Sequence, residues 1–133
     1  MLTRDNSNSS LPSTERFEIS RREPDQRTSV ISVQGELGLA TAPRLKWMLI
    51  EALESGHSQL VVDLSLVSFM DSTALGVFVA FNRGLDADAR LAIASPQPDV
   101  VKIFELSGMD GVFAIFPGLQ DALAYVQGHT TTS

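Results

Sequence analysis

Leu60-Val61-Val62-Asp63-Leu64-Ser65-Leu66-Val67-Ser68-Phe69-Met70-Asp71-Ser72-Thr73-Ala74-Leu75-Gly76 decides how this chain folds. Residues 60–64 are short and almost wholly apolar, as in a strand buried on both faces. A link follows, and Asp71-Ser72-Thr73 then opens an apolar helix over about 72–85 that ends near Gly84. A strand leading directly into a helix places the Ser72 hydroxyl where backbone N–H groups are unpaired and the helix dipole is positive. Such a position suits an anion, phosphate in particular. Three roles are therefore open to Ser72: nucleophile, phosphate acceptor, or helix cap.

The flanking sequence repeats the alternation. Upstream, residues 17–20 alternate weakly and predict an edge strand. Residues 21–27 are charged, contain Pro24 and read as a turn, and residues 28–34 alternate as a second strand. Gly35 and Gly38 mark the loop after it. Thr41 is the expected N-cap of the next helix, with Pro43 in its first turn. Leu45, Met48, Leu49, Ala52 and Leu53 form one apolar face of that helix, and Gly56 ends it. Trp47 lies off this stripe, as an interface anchor or packed against a loop or the N-terminal arm. Downstream, residues 91–94 and 112–116 read as strands. A helix starts at Pro98 and stops at Gly108, and a last one covers 118–126. The order β-β-α-β-α-β-α-β-α predicts a single α/β domain with a mostly parallel, mixed sheet of four to five strands and about four helices. Ligand sites in such sheets lie at the carboxyl ends of strands, where Asp71 and Ser72 follow directly.

With 133 residues the chain is long enough for one core. Residues 1–14, rich in Ser, Asn and Thr, are expected to be a disordered arm. Residues 15–127 form the domain and 128–133 a flexible tail. There is no cysteine, so disulfides and thiolate chemistry are excluded. No apolar run approaches a membrane span, and residues 1–10 carry no signal core, which points to the cytoplasm. Net charge is −6, and it is uneven: residues 1–29 balance five Arg against five acids, so the excess acid lies in 30–133. An acidic core repels nucleic acid, and a protein or small ligand is the expected partner.

The competing chemistries fail on particular residues. A hydrolase nucleophile would need the Gly-x-Ser-x-Gly turn, absent here, and an oriented base. His57 follows a helix stop and His129 lies in the tail. A phosphoacceptor aspartate at Asp63 or Asp71 would need an acidic pair after the first strand and a lysine near the last. Lys46 and Lys102 both fall in predicted helices. A phosphate-binding Gly-x-x-x-x-Gly-Lys-Ser/Thr loop is absent, and no cluster has metal-ligand spacing. On the predicted helix after Asp71, Ala74, Leu75, Phe78, Phe81 and Leu85 face a core. Thr73, Gly76, Val77, Ala80 and Arg83 form a second, small-residue face. That face suits either a close-approaching protein or a neighbouring segment of the same chain.

The run 60–76, together with Gly35-Glu36-Leu37, Ala40-Thr41-Ala42-Pro43-Arg44-Leu45, the strand at 91–94 and residues 101–108, resembles the STAS domain family. That family comprises the anti-sigma factor antagonists of bacteria and the related domains of sulfate transporters. The resemblance implies a non-enzymatic switch without a cofactor. Unphosphorylated, such a protein binds an anti-sigma factor, often a serine kinase of the GHKL type, and frees a sigma factor. Phosphorylation of the serine in the Asp-Ser motif releases it, and a phosphatase resets it. The matching acceptor is Ser72, and the implied partner-contacting residues are Asp71, Thr73, Gly76, Val77, Ala80, Glu36 and Gly38. Two positions depart from the family. Gly38 stands where an acid is common, and Ala74 where glycine is common. The missing acid motivates an alternative, a STAS-type scaffold or ligand-sensing module that binds a nucleotide or other small anion.

Overall fold

The computed structural model describes residues 16–128, so the predicted arm at 1–14 and all but Gly128 of the predicted tail lie outside the described residues. In chain order the elements are β1 (Glu18–Asp25), β2 (Thr28–Leu37), α1 (Ala42–Glu54), β3 (Gln59–Met70), α2 (Ser72–Arg83), β4 (Arg90–Ala94), α3 (Pro98–Leu106), a 3-10 turn (Met109–Gly111), β5 (Ala114–Phe116) and α4 (Leu119–Val126). The sheet order is β1-β2-β3-β4-β5. β1 is antiparallel to β2, and the other three pairings are parallel. The α/β class, the mixed sheet and the helix count are those the alternation predicts.

Alternation along the central strands fills two cores. Ile31, Val33, Leu60, Val62 and Leu64 pack with Leu45 and Leu49 of α1, Ala74 and Phe78 of α2, and Val100 and Phe104 of α3. Phe78, Phe104 and Phe113 close this core with ring centroids 5.6 to 6.1 Å apart. On the opposite face Val30, Val61, Ala92 and Ala94 meet Ala122 and Val126 of α4. Three helices therefore cover one face and one helix the other.

Several boundaries differ from the sequence reading. Residues 21–25, expected in a turn, continue β1. Pro24 is accommodated because β1 pairs on one side only and its register slips between Arg22 and Asp25. β2 runs on through Gly35 to Leu37. Gly35 has φ +99°, and a Cβ there would lie 2.7 Å from the Arg16 carbonyl oxygen. β3 does not end at Leu64 but continues to Met70. In this extension the buried residues are Leu64, Val67 and Met70, spaced by three. The register against β2 slips twice, giving β3 an extra residue each time. Those bulges hide the strand from any search for alternation. At the other edge β5 is only Ala114–Phe116, because Met109–Gly111 forms a 3-10 turn.

Candidate functional site

The extension of β3 carries the chain to the sheet's carboxyl end and delivers Asp71 and Ser72 there. The N-cap of α2 is Asp71, not Ser72. The Asp71 carboxylate Oδ1 accepts from the backbone N–H groups of Thr73 at 2.9 Å and Ala74 at 3.1 Å. Ser72 is the first helical residue, and its side chain is exposed. Since Asp71 takes the capping bonds, the Ser72 hydroxyl is not required for that task.

The other carboxylate oxygen of Asp71 reaches across to the β2–α1 loop. Oδ2 accepts from the backbone N–H of Leu39 at 3.2 Å. Below it, the Asp71 N–H donates to the Leu37 carbonyl at 3.3 Å. Thr41 stands at the N-cap position of α1 but makes no side-chain cap bond, contrary to expectation. Its hydroxyl instead accepts from the Gly38 N–H at 2.9 Å and donates to the Glu36 carbonyl at 2.8 Å, folding the loop on itself. Gly38 lies against Asp71 so closely that a Cβ would sit 2.7 Å from Oδ2.

Two concavities adjoin this junction. A groove of about 480 Å³ runs between α1 and α2, lined by Lys46, Ile50, Leu53, Thr73, Gly76, Val77, Ala80, Phe81 and Gly84. Thr73, Gly76 and Ala80 are exposed, and a Cβ at Gly76 would meet nothing within 4 Å. Among the described residues, then, no neighbouring segment fills the small-residue face of α2 at Thr73, Gly76 and Ala80. The second hollow, about 290 Å³, is lined by Phe17, Glu36, Gly38, Leu39, Ala40, Thr41, Phe69 and Asp71. The structure therefore divides the seven expected contact residues between two concavities that meet at Asp71-Ser72-Thr73. Trp47 is 63% exposed and lines neither.

Sequence reasoning missed the α1 half of the groove and two exposed apolar residues beside the junction. Lys46 and Ile50, four apart, sit one position around from Leu45 and Leu49, and with Leu53 of the core stripe they line the groove; that spacing was the available signal. Leu39 is 74% and Phe69 49% exposed. Neither has a periodic signature, since one is in a loop and the other in a bulged strand.

His57 is far from Ser72. It precedes β3, whereas Ser72 follows it, and twelve extended residues span roughly 30–40 Å. Buried there, its Nδ1 lies 2.6 Å from the Ser29 Oγ. His129 falls outside the described residues. Among the described residues no group of three or more His, Asp or Glu could hold a metal, and no helix is long and apolar enough to cross a membrane.

Fold and junction together define a small α/β domain that presents a serine where a bulged central strand meets a helix. A STAS domain family model matches residues 20–122, and the chain belongs to that family. It is 30% identical over 100 residues to the anti-sigma-F factor antagonist RsfB of Mycobacterium tuberculosis, covering 75% of this chain and 82% of that one. It is 32% identical over 91 residues to the anti-sigma-B factor antagonist of Staphylococcus aureus, covering 68% and 84% respectively. The crystal structure of an anti-sigma factor antagonist from Mycobacterium paratuberculosis superposes with a TM-score of 0.79 at 29% identity, covering 88% of this chain and 99% of that one.

Proposed function

We propose that this protein is an anti-sigma factor antagonist acting by partner switching. Unphosphorylated, it binds an anti-sigma factor that is a serine kinase, so that a sigma factor is freed. The kinase then transfers the γ-phosphoryl group of ATP to Ser72 Oγ. The bond to the ADP oxygen breaks, and the hydroxyl proton passes to solvent or to a base of the kinase. A phosphatase hydrolyses the ester and resets the cycle. The protein is the substrate of both enzymes and not itself an enzyme, and the reading places it in the cytoplasm with ATP and sigma factors.

The observation that carries this reading is the exposed Ser72 at the first turn of α2, with Asp71 already serving as cap and two concavities beside it. A phosphate adds about −1.5 to −2 charge at pH 7. The helix N-terminus tolerates it in the free protein, but a closed interface over the junction does not, because burying an unpaired charge is costly. Release without unfolding follows. Asp71, Thr73, Gly76, Val77, Ala80, Glu36 and Gly38 are assigned to partner contact. The names of the relatives support the same role. For the alternative, a nucleotide or small-anion module, the α1–α2 groove is poorly suited: Ile50, Leu53, Val77, Ala80 and Phe81 make most of its wall, and Lys46 is its one cation.

The test is mass spectrometry after incubation with the cognate anti-sigma kinase and ATP. One phosphoryl group on Ser72, and none on the Ser72→Ala variant, is expected. A phosphate on Thr73 instead, or none at all, contradicts the assignment.

A further inference from the structure

The geometry points to Gly38 and Asp71 as a positioning pair that holds Leu39 out as an anchor for the partner and lets a phosphate on Ser72 dislodge it; this rests on the function just proposed. Asp71 serves two elements at once. One carboxylate oxygen caps α2 through Thr73 and Ala74, and the other holds the Leu39 N–H. Only a carboxylate can do both, because it presents acceptors on both oxygens. An asparagine would still cap the helix but would turn an NH₂ or a single oxygen toward the pair of tasks.

Gly38 makes this arrangement possible. Its open space is taken by the Asp71 carboxylate, at 2.7 Å from where a Cβ would be. That contact gives a physical role to the departure from the family. A side chain at 38 would push Asp71 Oδ2 away from Leu39, and an acid there would add like charge against it. The result of the latch is a Leu39 side chain that is 74% exposed on the rim of the hollow containing Phe69. A large apolar side chain held outward on a braced loop is suited to insert into an apolar pocket of a partner.

A phosphate on Ser72 changes the balance at one atom group. The new dianion, one residue from Asp71, repels its carboxylate and competes for the same helix-end amides. Among the described residues the Leu39 N–H is the one hydrogen-bond donor that the loop offers the Asp71 side chain, so that bond yields first. Phosphorylation would then act twice, by placing charge in the interface and by withdrawing the anchor.

The test uses the full chain, ¹⁵N-labelled, with exchange of the Leu39 amide read by NMR and affinity for the cognate anti-sigma factor read in parallel. Asp71→Asn should speed Leu39 exchange about tenfold with little change in Tm, since Asn and Asp cap comparably. Gly38→Ala should do the same by displacing the carboxylate while leaving its charge and chemistry unchanged. Phosphoserine incorporated at position 72 during translation, independent of any kinase, should match them. In a double-mutant cycle, Leu39→Ala should cost about tenfold in affinity alone and little more on the Asp71→Asn background. Unchanged Leu39 exchange in Asp71→Asn and in the phosphoserine protein overturns the latch, as does an additive cycle. Absence of any binding by the unmodified protein instead overturns the proposed function, and the exchange data then still decide whether the latch exists.

Discussion

Two aspartates, Asp25 and Asp71, each gather three hydrogen bonds, yet they do different things. Asp25 ends β1 at the sheet's other end. Its carboxylate accepts from the Arg27 N–H at 2.8 Å, the Thr28 hydroxyl at 3.0 Å and the Gln127 amide at 3.1 Å. It closes the β1–β2 turn and ties that corner to the end of α4. Asp71 likewise joins a turn to a distant segment, but all three of its donors are backbone amides, two at the start of α2 and one in the β2–α1 loop, beside an exposed hydroxyl. The contrast is in what can be added nearby. At Asp25 the nearest hydroxyl, that of Thr28, is buried and already donates to the carboxylate. At Asp71 the next residue carries an exposed one, and the donors that hold the carboxylate are the donors a phosphate would seek.

The strongest perturbation removes the framework on which the Asp71 end depends. Phe78→Ala should cost about 3–5 kcal/mol, since the ring is fully buried against Phe104 and Phe113. Chemical denaturation checks it, and loss of α2 seating should weaken partner binding as well. Filling the groove should separate surface from scaffold. Ala80→Lys sets a second cation beside Lys46 on an exposed helical position of good propensity. Affinity for the anti-sigma factor should fall about tenfold or more, with Tm unmoved in the same preparation.

Removing the cap is smaller. Asp71→Ala should destabilise by about 1 kcal/mol and, unlike Asp71→Asn, lower both Tm and Leu39 protection. The smallest effect belongs to Asp25. The Arg27 N–H, aided by the Thr28 hydroxyl, holds its carboxyl below the ordinary value of 3.8. A depressed folded pKa means the stabilisation is full above that value and is lost as pH falls through the folded pKa. Asp25→Asn should therefore melt slightly below the parent at neutral pH, and the two curves should converge in acid below about pH 4. Partner binding should not respond.

How much of this was legible beforehand follows from the same residues. The βα alternation and the buried faces of α1 and α2 could be read, because Leu45, Leu49, Ala74 and Phe78 keep a regular period. The second half of β3 could not, since two bulges space Leu64, Val67 and Met70 by three. The position of Ser72 is legible from its strand-to-helix context, but the capping role left open for it belongs to Asp71. Asp, Ser and Thr in succession are all capping residues, and only the backbone angles decide that Asp71 takes the position. The role of Gly38 was illegible for another reason. Its neighbour is Asp71, thirty-three positions away in sequence and brought close only by the parallel pairing that sets Leu37 beside Met70.

The most direct test of the switch is calorimetric titration of the cognate anti-sigma kinase with this protein in two forms, unmodified and carrying phosphoserine at position 72. Binding by the unmodified form, weakened about a hundredfold or more by the phosphate with no loss of thermal stability, is the predicted result. Equal affinity of the two forms would contradict it.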